Sequence, residues 1–152
     1  MIAEEEGTSA AVAPDLKAST RIVDGNEILF RQIHPTLYLD GTISSSAFRP
    51  TPADKGQLSV DRSSLTTSAA SFDLYVGNGR ESVAVYGVSV GQYGAEGVLC
   101  HPDPLPATDK LKANPAHAYA DFNGIVSPKD QRRRAQRLRD RALERGRLHP
   151  PV

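Results

Sequence analysis

The sequence has no tryptophan, a single cysteine (Cys100), a single methionine and no formal net charge, and aromatic residues make up only 6% of it. Each shortage excludes something. One cysteine rules out an intramolecular disulfide framework and fits a reducing compartment. Cys100-His101, taken with the scattered His34, His117 and His149, matches no zinc spacing. A buried thiol with surface histidines is the plainer account, and no metal or other cofactor is expected. A neutral chain does not bind polyanions as a whole. No apolar run approaches the roughly 20 residues that span a bilayer. The opening MIAEEEGTSAAVAP lacks the basic and apolar parts of a secretory signal. The expectation is a cytoplasmic protein with no membrane partner.

What is present in quantity is loop-forming residues. Twelve glycines and eleven prolines punctuate 152 residues, enough chain for one domain with a modest core. Residues 1–20 carry no apolar period and are expected to be a disordered tail. Residues 21–149 are expected to form a single α+β domain. Its predicted strands are Glu27–Ile33, Gln57–Val60, Ser82–Val90, Val98–Cys100 and Ala116–Phe122, with a hairpin-like turn at Asp40-Gly41. In the first strand Ile28, Phe30 and Gln32 alternate with Leu29, Arg31 and Ile33. Ser82–Val90, apolar on both faces, is expected at the centre of a small mixed or antiparallel sheet. A short helix follows Thr66 or Thr67. A long one opens at Ser127-Pro128 and closes at Gly146, and both helices are expected to pack on one side of the sheet, the long one through a stripe of Ala135, Leu138 and Ala142.

The neutral total hides an uneven distribution. Lys129–Arg147 holds nine bases against three acids, a local +6 that leaves −6 on the rest of the chain. Arg133, Arg134, Arg137 and Arg141 are the candidate polyanion contacts of this basic C-terminal helix. No aromatic platform accompanies them, so a solvated, partly interlaced face is the plainer account, and any nucleic-acid binding is expected to be weak.

The stretch Leu29–Asp61 concentrates shaped backbone and polar side chains beyond what a core requires. Arg31, His34, Ser44, Ser45, Ser46, Arg49 and Asp54 are its candidate binding surface. Arg31-Gln32-Ile33-His34-Pro35, Ser46-Ala47-Phe48-Arg49-Pro50-Thr51-Pro52 with Asp54, and Leu58-Ser59-Val60-Asp61 together resemble a pattern in a set of small uncharacterised bacterial proteins. Asp103-Pro104-Leu105-Pro106 and His117-Ala118 with Asp121-Phe122 belong to the same pattern. The resemblance implies a bacterial, single-domain, cytoplasmic protein and names no activity.

A second, looser resemblance is to ADP-ribosyltransferases. In them an Arg or His ends the first strand, a Ser-rich strand follows, and a Glu acts later in the chain. It implies an NAD site at Arg31 and Ser45, with Glu96 (or Glu81) as the acid: Arg holds a pyrophosphate through two parallel hydrogen bonds and Ser shapes the nicotinamide pocket. The catalytic candidates are thus Arg31, Ser45 and Glu96. The plainer account makes them turn and edge groups. Gly87-Val88-Ser89-Val90-Gly91 matches the G-x-S-x-G nucleophile elbow of hydrolases, with Asp121 and His149 as available partners, but it sits in a strand pattern before a weak helix. The leading expectation is a small non-enzymatic accessory protein that recognises another protein through its polar, loop-rich face. A transferase and a nucleic-acid binder are the alternatives.

Overall fold

In the computed structural model, Thr20–Val152 are described. The expected tail, Thr20 apart, lies outside the described residues. The fold is α+β. In chain order the elements are β1 (Ile28–Ile33), β2 (Tyr38–Leu39), β3 (Thr42–Ile43), β4 (Gln57–Arg62), α1 (Ser68–Gly77), β5 (Ala84–Ser89), α2 (Val90–Ala95), β6 (Leu99–Pro102), β7 (His117–Asp121) and α3 (Pro128–Arg145). Three short 3-10 turns, Pro35–Leu37, Ser45–Phe48 and Pro52–Asp54, shape the chain between β1 and β4. β5, β1, β4, β7 and β6 form a five-stranded sheet in that order, and every pairing is antiparallel. β2 and β3 form a separate hairpin across Asp40-Gly41, both at positive φ.

Strand alternation separates two unlike faces. Leu29, Ile33, Leu58, Val60, Ala84, Tyr86, Val88, Cys100, Ala118 and Ala120 share one face and belong to a single buried cluster. α3 covers that face. Ser127 caps it, its Oγ accepting from the Asp130 N–H, and Pro128 occupies the first turn, where no N–H is needed. Gly146 ends it at φ +94°, a conformation a side chain would strain. Ala135, Leu138 and Ala142 are its buried residues, packed among Ala47, Phe48 and the β5 side chains. Burying Leu138 completely stabilises the fold by roughly 1.5–3 kcal/mol.

The sheet order differs from the sequence expectation at one strand. Ala84–Ser89 stands at an edge, not at the centre. It is buried along its whole length because the chain beyond α3 seals the edge. Val85 N–H donates to His149 O (2.8 Å) and Leu148 N–H to Val85 O (2.9 Å). An edge strand covered this way carries the same apolar composition as a central one. Gly87 permits the cover: a Cβ there would come within 2.6 Å of Ile28 Cγ2 and 2.8 Å of Leu148 Cδ1.

Candidate ligand-binding site

The other face of the sheet carries Ile28, Phe30 and Val85 at the β1–β5 end and polar side chains over the rest. Gln32 on β1, Gln57, Ser59 and Asp61 on β4, and His117 and Tyr119 on β7 fall on it by register. α1 lies over this face, opposite α3 and not beside it as the sequence reading expects, because its Ser71 hydrogen-bonds Gln32 and Asp61 of the polar face. Thr67 caps α1, Oγ1 accepting from the Ala70 N–H, and its one fully buried residue is a serine, Ser71. With a serine as the fully buried residue of α1 and polar side chains on the strands beneath, helix and sheet do not close into a packed core here. They leave a cavity of about 460 Å³, roofed by the C-terminal end of α1 and by the segment 103–114. The roof is clasped at Asn78, whose Oδ1 accepts from the Lys112 N–H (3.0 Å) while its Nδ2 donates to Lys112 O (3.5 Å).

Arg31 occupies the seam of this cavity. β1 and β4 pair only at Leu29 with Arg62 and Phe30 with Asp61, then part. By alternation Arg31 starts on the apolar face, and its guanidinium bridges the opening. Nε donates to Ala47 O (2.6 Å) and Nη1 to Ser59 O (2.9 Å). These two carbonyls hold the plane of the guanidinium. Nη2 and the second N–H of Nη1 have no acceptor among the described residues, and no carboxylate there forms an ion pair with Arg31. Burial draws its pKa below the ordinary guanidinium value, opposed by Tyr93, Tyr75 and Asp54, but a guanidinium stays charged at any working pH. A cation withdrawn from water with donors to spare is a place where an anion gains most.

Behind Arg31 the polar face is ordered by one chain of hydrogen bonds. Asp61, 8% exposed, accepts from Ser71 Oγ (2.6 Å) and from Asn114 Nδ2 (2.9 Å). Because the Ser71 proton goes to Asp61, Ser71 Oγ is the acceptor for Gln32 Nε2 (2.9 Å). That fixes the Gln32 amide and leaves Oε1 buried without a donor. On β7, His117 Nδ1 meets two acceptors of Asp103, the backbone O (3.0 Å) and Oδ2 (3.3 Å). Nδ1 therefore carries a proton. Tyr119 stacks on His101 with ring centroids 5.2 Å apart.

The candidates named from sequence divide sharply. Arg31 and Asp54 both line the cavity. Asp54 is set there by its turn, Oδ2 accepting from Thr51 N–H (2.7 Å) and Oγ1 (2.9 Å). His34, Ser44, Ser45, Ser46 and Arg49 do not line it. His34 caps the turn after β1 and pairs with Glu81 (2.9 Å). Ser44 caps the Ser45–Phe48 turn, and Arg49 Nε reaches Gln131 Oε1 (3.4 Å) on α3. Ser45 lies in that turn. Glu96 caps α2 and is held by Arg137 (2.8 Å), outside the cavity. Ser89 does stand at a strand-to-helix turn, but its Oγ accepts from the Gln92 N–H and caps α2. Asp121 Oδ1 accepts from the Asn123 N–H, and His149 packs on Phe72 with ring centroids 4.6 Å apart.

The bases of α3 are largely engaged. Arg134 donates to Glu96 O, Arg141 pairs with Glu144 (2.7 Å) and Arg133 with Asp130 (3.8 Å). Burial pushes the Cys100 thiol up to about 12, which keeps it protonated. Among the described residues no three His, Cys, Asp or Glu side chains gather as a metal site would need, and no helix is long and apolar enough to cross a membrane.

Sequence reasoning missed Asp61, His117, Asp103 and Gln32 as site residues. Arg31, Asp54, Asp61, Asp103 and His117 come from five separate stretches of the chain, and all five line this cavity. No protein-family model, curated protein or solved structure matches the chain.

Proposed function

We propose that this is a small bacterial, cytoplasmic binding protein, an accessory factor that recognises its partner through the cavity on the polar face of its sheet. The observation that carries the reading is Arg31: a guanidinium fixed by two backbone carbonyls, with unused N–H groups, in the wall of a cavity of about 460 Å³. That volume is in the ordinary range for recognition of a small molecule or a few residues of a partner chain. Recognition needs the groups to be held in place, and they are: Asp61, Gln32, Asp54 and His117 each have a hydrogen-bonded orientation. The ADP-ribosyltransferase alternative keeps Arg31 in the cavity but not Ser45 or Glu96. The nucleic-acid alternative relies on bases already engaged by neighbouring carboxylates and carbonyls.

A fragment screen followed by amide chemical-shift mapping tests the reading. Binders should shift Arg31, Asp61, Tyr75 and His117 together. Binders that map instead to α3 would move the recognition surface to the basic helix. A screen in which nothing reaches the cavity would remove the proposal.

A further inference from the structure

The chemistry of the cavity also specifies its ligand. We infer that it takes a carboxylate, seated on the Nη1–Nη2 edge of Arg31; the inference rests on the cavity being the recognition site. Three observations support it. Nε and one N–H of Nη1 are spent on Ala47 O and Ser59 O, which leaves both N–H groups of Nη2 and one of Nη1 for a ligand. Two parallel N–H groups match the two oxygens of a carboxylate or of a phosphate. No side-chain carboxylate of the described residues takes that edge, although Asp54 stands in the same cavity. Its Oδ2 is spent on Thr51.

Charge decides between the two anions. The cavity is lined by Arg31, Arg80 and Lys112 and by Asp54, Asp61 and Asp103, so its bases and acids balance. A phosphate dianion would meet as much repulsion from the acids as attraction from the bases. A single negative charge at the guanidinium gains the Arg31 contact and meets less repulsion than a dianion, chiefly from Asp54, whose charge is felt at Arg31. The acids then suit an N–H or ammonium group on the rest of the ligand. An amino acid or the C-terminal end of a peptide offers both parts.

Matched probes test this without knowledge of the natural ligand. Benzoate, benzamide and phenyl phosphate share a ring and differ in charge. Each is titrated at constant ionic strength into the full chain and into Arg31→Gln, Arg31→Lys and His34→Ala. Benzoate should bind at the cavity about tenfold or more tightly than benzamide, the worth of a charge-assisted pair. Arg31→Gln should erase that preference, Arg31→Lys should keep only part of it, and His34→Ala should leave it intact. The benzoate-to-benzamide ratio in the wild-type chain needs no variant to fold. Equal binding of the two, or a preference unchanged in Arg31→Gln, overturns the inference. Tighter binding of phenyl phosphate reassigns the edge to phosphate esters and overturns the carboxylate. Neutral fragments in the cavity with no anion bound would overturn the inference and spare the binding reading, whereas an empty cavity throughout would overturn both.

Discussion

The two faces of the five-stranded sheet are built from the same strands and serve opposite ends. On the α3 face, Leu29, Leu58, Val88, Ala118 and Leu138 are almost wholly buried, and apolar contact needs no exact partner. On the α1 face, Gln32, Ser71, Asp61 and Asn114 form a chain in which each group depends on the next. The first face supplies stability, and the second supplies geometry at a cost. Buried polar groups stabilise little when satisfied and destabilise when one member is removed. A small domain holds such a face only because the other carries the fold.

The comparison breaks most visibly at Leu138. Leu138→Ala should lower stability by about 2–4 kcal/mol, because the side chain is fully buried under the helix. Chemical denaturation measures it, and a loss under about 1 kcal/mol would mean the α3 face is not the main core. Asp61→Ala should come next, at about 1–3 kcal/mol, since Ser71 and Asn114 lose their acceptor inside the protein. Asp61→Asn should recover part of it. If both are neutral, the polar face is not an ordered network.

A third test uses pH, at the end of the sheet next to both faces. Glu27, 8% exposed, receives Arg62 Nε and Nη2 and the Ser64 N–H and hydroxyl. Burial raises its pKa, but those hydrogen bonds outweigh burial and hold it below the ordinary 4.5. A carboxyl with a depressed folded-state pKa contributes stability that is complete above its unfolded value and is lost as pH falls through the folded one. Unfolding midpoints should therefore drop as pH falls below about 4.5, and Glu27→Gln should be less stable at pH 7 and show a shallower acid slope. A slope identical to that of the wild type would remove Glu27 from the account.

The smallest effects belong outside both faces. His34→Ala and Arg141→Ala remove exposed pairs and should barely move the unfolding midpoint. Arg31→Gln should fall between these and Asp61→Ala in stability, yet exceed both in its effect on binding. A severe loss of stability in Arg31→Gln would make Arg31 a staple between Ala47 and Ser59 before anything else.

The sequence alone determined what depends on neighbours along the chain. Alternation marked β1, caps and prolines marked α3, Asp40-Gly41 marked the hairpin, and 3.6-residue spacing marked Ala135, Leu138 and Ala142 as its buried stripe. Arg31 and Asp54 were legible as unusual side chains in a stretch too polar for a core. Their place in one cavity was not, and neither were Asp61, Asp103, His117 and Gln32. Those residues are brought together by strand order and by the parting of β1 from β4, which rest on contacts between positions far apart in the chain. The same limit explains β5. An apolar run shows that a strand is covered, but only the tertiary structure decides that Leu148 and His149, and not another strand, do the covering.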